Sequence, residues 1–186
     1  MPSLDHEMRR LAIQASAPIN IGRPEYYLHP DGDPLDAVEF VIDDAGAALR
    51  RGATEHGLRL TLWAPFLLAT VIGYDGFIVE GHGETLARHL RKSVGMSEDR
   101  VVGVAEEFGI HRPKQYLDVG SSSERAADLW RQAMHQARYG SRPFGLKLAF
   151  WATYVRATEF AAVAADFAEP VAGAATRFRA FATGRD

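Results

Sequence analysis

Arg138, Tyr139, Gly140, Ser141 and Arg142 stand directly before the most apolar stretch of the chain. If that stretch is a helix, its free N–H groups and positive end lie beside two guanidinium groups, a combination suited to a carboxylate or phosphate. The plainer alternative is a structural turn whose arginines pair with surface carboxylates. Further along, Arg156 and Glu159 are three residues apart, near enough on a helix to touch. Opposite charges in so apolar a segment need compensation, because an isolated buried charge is very costly. They form either a structural ion pair or the polar lining of a pocket, which Trp151, Tyr154 and Thr158 would complete. The ligand-binding residues expected from the sequence are therefore Arg138, Tyr139, Arg142, Tyr154, Arg156 and Glu159.

Seven histidines and no cysteine leave nitrogen and oxygen donors for any metal. Glu80, His82, Glu84 and His89 cluster, with Glu55 and His56 upstream. On a continuous helix His82 and His89 share a face with Glu80 near it, a set that could hold zinc or iron, or ligate haem. Gly81 and Gly83 argue instead that His82 precedes the helix, and the Glu-x-x-His pairs of di-iron bundles are missing. Asp31, Asp33 and Asp36 lack the glycine and the twelfth-position Glu of a calcium loop.

Ala105 to Pro113 follows the pattern of the first helix and turn of a helix-turn-helix, with Ala105 for close packing and Gly109 for the turn. Gln115 and Asp118 then fall where a recognition helix should turn apolar residues inward, and Arg112 with Lys114 make a thin electrostatic footprint. A DNA-binding regulator built on residues 101–117 is the alternative function, and a net charge of −3 argues against it.

The elements that must position these residues follow from spacing and end signals. Pro143 to Phe167 reads as one long helix, apolar on almost every face and therefore wrapped by others. Lys147, Arg156, Glu159 and Asp166 interrupt it too often for a membrane span. Ahead of it, Ser3 caps a first helix and Pro18 ends it. Residues 17–33 form a Pro-rich arm with Tyr26, Tyr27 and Leu28 as its anchor, packed on a neighbouring surface or in a homo-oligomer. Asp33 and Pro34 open a helix that Gly52 closes.

Residues 58–80 are ambiguous. Leu58, Leu60 and Leu62 alternate like a strand, and Asp75-Gly76 sits between two apolar runs like a hairpin turn. Helix with a turn at 73–76 is the preferred reading and a small β-hairpin the alternative. Gly95, Ser97, Gly109, the Ser121/Glu124 pair and Gly140 punctuate further helices, and 170–183 forms the last.

The expected fold is a mainly α, single-domain helical bundle over residues 1–186, built around the long helix. Composition agrees, with 47% hydrophobic and 24% charged residues. The first residues lack a signal-peptide pattern, so a cytoplasmic protein is expected. The function expected is binding of a small, partly apolar, anionic molecule between helices; an enzyme acting on that molecule is a variant of this reading, with no nucleophile to name. An interaction subunit of a larger assembly is the third reading.

Overall fold

The computed structural model describes residues 6–28, 32–74, 76–93, 97–118 and 120–183. The chain is nearly all helical, and no strand occurs among the described residues. The helices are α1 (His6–Ser16), α2 (Pro34–Arg50), α3 (Thr54–Val71), α4 (Gly76–Arg91), α5 (Glu98–Glu107), α6 (Ser122–Tyr139), α7 (Arg142–Thr158), α8 (Ala161–Ala165) and α9 (Ala168–Ala182). Short 3-10 turns occupy Ala17–Ile19, Pro24–Tyr26 and Pro113–Tyr116. None of the described helices is long and apolar enough to cross a membrane.

Several ends form as their residues dictate. The Asp33 carboxylate accepts from the Leu35 N–H at 2.9 Å, with Pro34 opening α2. Ser121 and Glu124 make a complete capping box on α6. Ser141 caps α7 by accepting from the Phe144 N–H at 3.4 Å. The expected Ser3 cap, the Asp75 position of the turn and the Gly95 stop lie outside the described residues.

The preferred helical reading of 58–80 holds among the described residues, and the alternative hairpin is corrected: residues 58–71 belong to α3, a turn follows at Ile72 and Gly73, and residues 76–80 open α4. Every residue from Leu60 to Thr70 is buried, so α3 shows no polar face and no helical stripe. The first turns of α3 reach solvent through Glu55, His56 and Arg59, and Arg59 pairs with Glu55 one turn earlier. Pro65 lies inside α3 and supplies no N–H to the Thr61 carbonyl. That carbonyl instead receives the Thr153 hydroxyl from α7 at 3.2 Å, a proton shared with the Ala149 carbonyl at 3.0 Å. The proline thus costs α3 one internal bond and gives it a tie to α7.

The single helix expected from 143 to 167 is also corrected. α7 stops at Thr158, a turn follows at Glu159 and Phe160, and α8 runs over Ala161–Ala165. Pro170 falls in the first turn of α9, where its missing N–H is harmless. α7 still carries a nearly continuous buried run, with Trp151 fully enclosed.

α3 packs on α2 and α7, α6 packs on α7, α4 packs on α9, and α1 leans on α3 and α9. A small residue sits at each of the three closest pairings. A Cβ on Gly57 would lie 2.6 Å from Leu49, one on Gly83 2.6 Å from Ala175, and one on Gly145 2.8 Å from the Ala133 carbonyl. The Pro-rich arm folds onto this same chain: Tyr27 and Leu28 are buried, with Tyr27 edge-on to Trp63, while Tyr26 stays exposed.

Candidate functional site

α2 and α6 each rest on an inner helix and touch one another sparsely. Between them lies an open cleft of about 1030 Å³. Its volume matches that of a small-molecule site. The walls differ in sign: α2 supplies Glu39, Asp43 and Asp44, and α6 supplies Arg131, His135 and Arg138. Apolar surface comes from Phe40, Ile42, Ala47 and Met134, and the lining also includes Arg50, Trp130 and Arg156.

One end is closed by an ion cluster. The Arg138 guanidinium reaches Asp33 at 3.2 Å, Asp36 at 2.7 Å and Glu39 at 3.3 Å. Its hydrogen bond to Asp36 does most to hold its pKa above the usual arginine value, burial opposes this, and Glu39 and Asp33 add to it. Arg138 stands at the end of α6 and its partners at the start of α2, so the two helices run antiparallel. Asp44, on the α2 wall, accepts a 2.5 Å bond from the Tyr27 hydroxyl, which ties the arm to this helix.

The other end is different. Arg156 projects from α7 and donates to Ser123 Oγ, in the first turn of α6, at 2.7 Å. Burial lowers its pKa; Glu159 partly offsets that, and the nearby Arg50 guanidinium lowers it further. No carboxylate lies within 4 Å of Arg50 or Arg156 among the described residues. Trp130, two turns before Arg138 on α6, is 2% exposed, and its buried indole N–H has no acceptor among the described residues. Arg50 and Arg156 therefore bring positive charge to this end of the cleft without a carboxylate at contact among the described residues.

Of the residues expected from the sequence, Arg138, Tyr139 and Arg156 line this one cleft. The anion site imagined across Arg138 and Arg142 is not assembled, because Arg138 turns toward α2 and Arg142 is exposed at the start of α7. Tyr139 is 78% exposed and leans on His135 at 5.4 Å. The expected Arg156–Glu159 contact is also corrected. Glu159 lies just past the end of α7 and is exposed, while Arg156 bonds Ser123. Tyr154 is fully buried on another side of α7, with its ring 5.8 Å from that of His89.

The expected metal set does not converge. α4 is continuous from Gly76, so His82 lies within it and not before it. Glu80 pairs with Arg179 of α9 at 2.5 Å. His82 meets Phe108 and Phe150 edge-on, with its Nε2 buried and unbonded, and burial followed by the Lys147 charge lowers its pKa to about 4. His89 Nε2 lies 3.1 Å from a Glu107 oxygen, outside hydrogen-bond alignment. No group of three metal-ligating side chains occurs among the described residues. The helix-turn-helix geometry is likewise not formed, since a 3-10 turn at Pro113–Tyr116 stands where the second helix would begin.

Arg50 and Trp130 were not singled out by sequence. Both sit on helices whose regular apolar stripes make them look like a last-turn cation and a core aromatic. No known protein family, curated protein or solved structure matches the chain.

Proposed function

We propose that this chain is one helical domain, a bundle about α3 and α7, that binds a small, partly apolar anion in the cleft between α2 and α6. The observation that carries the reading is the contrast among the four arginines of the cleft. Arg131 and Arg138 contact carboxylates, whereas Arg50 and Arg156 have none within 4 Å among the described residues. Holding a desolvated guanidinium beside another is unfavourable, and an anion placed between them relieves both the repulsion and the desolvation. Ile42, Ala47 and Met134 supply surface for the apolar part, and Phe40 and Tyr139 stand at the rim.

The test uses 1-anilinonaphthalene-8-sulfonate, a monoanion with an apolar body. Saturable fluorescence enhancement at one site is expected, abolished by Ala47→Trp, which fills the cleft from α2. Binding that Ala47→Trp leaves intact would place the site elsewhere and remove this reading.

A further inference from the structure

Independently of the cleft, we propose that α5 is a pH-released segment, docked on α4 and α7 while the His82 imidazole is neutral and freed when that ring takes up a proton. Backbone packing holds α5 only sparsely, chiefly to α7 and to the Pro113–Tyr116 turn. Side chains do most of the holding. The Trp151 indole of α7 donates to the Val101 carbonyl of α5 at 3.1 Å, and Arg100 of α5 hydrogen-bonds the Tyr154 hydroxyl of α7. At the other end of α5, Phe108 is 1% exposed and closes on the His82 ring at 5.6 Å. His82, from α4, meets Phe150 of α7 at 5.5 Å on its other side. The imidazole is therefore a layer between the end of α5 and α7.

That layer is poorly suited to a charge. An imidazolium needs acceptors for both of its N–H groups, and the His82 Nε2 is buried without one among the described residues. The charge that acts on the ring is the Lys147 ammonium of α7, which repels a second cation. Burial, and after it the Lys147 charge, lowers the pKa of the docked ring to about 4, whereas a ring exposed by release titrates near 6.5. Protons therefore bind the open form more tightly. Above pH 6.5 they favour neither form, and between 6.5 and 4 the open form gains about tenfold for each unit of pH lost.

The remaining charges on this face act as a catch. Glu107, the last residue of α5, is held by Arg88 and lies 3.1 Å from His89 Nε2, both on α4. Burial opposes their effect, but His89 and Arg88 together keep the Glu107 carboxyl below its usual pKa, so it stays charged over most of the interval in which His82 titrates. A proton on His89 strengthens that contact. α9 meets α4 through other charges that are already paired, Arg179 with Glu80 and Arg91 with Glu169.

The Trp151 indole proton reports docking directly, and Trp63, bonded to the Ala12 carbonyl, is the internal reference. Spectra of the protein labelled with nitrogen-15 are recorded between pH 7.5 and 4, with Trp63→Phe and Trp130→Phe assigning the three indole signals. On acidification the Trp151 signal is expected to move to the position of an unbonded indole while the Trp63 signal stays. The backbone amides of 101–105 are expected to lose at least about tenfold in exchange protection relative to those of α3. His82→Phe keeps the apolar layer and is expected to abolish the change. Glu107→Gln removes the catch and is expected to raise the midpoint by up to about half a pH unit. A Trp151 signal that stays put down to pH 4 would overturn the proposal, and so would one that moves while amides 101–105 stay protected, since His82 would then titrate in place. Loss of the Trp63 signal in step with Trp151 would replace local release by global unfolding. Persistence of the change in His82→Phe would assign it to another group.

Discussion

On α3 and α7 the buried hydroxyls of Thr61, Thr70 and Thr153 and the indoles of Trp63 and Trp151 are provided for, whereas the Arg59 Nε has no partner among the described residues. Thr61 and Thr70 give their hydroxyls to carbonyls one turn back at 2.9 Å, and Thr153 gives its hydroxyl to carbonyls of both helices. Trp63 and Trp151 give their indole protons to the Ala12 and Val101 carbonyls. Between α2 and α6 the treatment is reversed: the Trp130 indole proton goes unclaimed, and two arginines face a cleft without a carboxylate at contact. The contrast is local to these residues, because Arg9 Nε, Arg59 Nε and ring nitrogens of His82 and His89 are also buried without a partner among the described residues.

The strongest way to sharpen this contrast is to truncate one member of the inner pair. Trp151→Ala is expected to lower stability by roughly 3–5 kcal/mol, the range for large aromatics in close-packed cores. A urea midpoint close to that of the parent would mean that α7 is not the closed side of the comparison.

His82 tests the contrast from outside the cleft, because its Nε2 is buried without a partner among rings and not beside a ligand site. Here the group stays neutral, its pKa lowered from 6.5 to about 4. The unfolded chain takes up the proton near pH 6.5 and the folded chain only near 4. Stability should therefore be complete above pH 6.5, fall by up to about 3 kcal/mol as pH drops through that window, and change no further on this account below it. Denaturation curves of the parent and His82→Phe should separate most in slope between pH 6.5 and 4. Parallel pH profiles would show that His82 is protonated in the folded chain without penalty.

The smallest expected effect is the most telling for the cleft. Trp130→Phe removes a donor that bonds nothing, so it should change stability by less than about 1 kcal/mol. Trp63→Phe removes a made bond to the Ala12 carbonyl and should cost about 0.5–1.5 kcal/mol more than Trp130→Phe. Equal losses in thermal melts of the two variants would erase the distinction between bonded and unbonded indoles.

Sequence reasoning reached the parts of this fold that are local. Asp33 with Pro34, Ser121 with Glu124 and Ser141 cap their helices through atoms two or three residues away, so spacing alone exposes them. α3 was ambiguous because a helix buried on all sides has no periodic stripe, and the alternation of Leu58, Leu60 and Leu62 imitated a strand. The stop of α7 at Thr158 was hidden because Ala161–Ala165 continues an apolar composition that suits a helix. At the cleft, Arg138 and Arg156 were recognisable as charges needing partners, but the partners were not. Asp33 and Asp36 are 105 and 102 residues from Arg138 along the chain, and Ser123 is 33 from Arg156. Trp130 falls on the apolar stripe of α6, where its type suits the core, and only the surroundings of its indole show a donor without an acceptor among the described residues.

The three carboxylates gathered on Arg138 also bear on the timing of binding. They neutralise one end of the cleft, so the proposed anion would be drawn to the Arg50 end, where positive charge has no carboxylate at contact among the described residues. Added salt screens that field and slows capture, and it has far less influence on departure, which is set by short contacts inside. The encounter rate of the proposed anion would thus depend on salt, and its residence time on the contacts at Arg50 and Arg156.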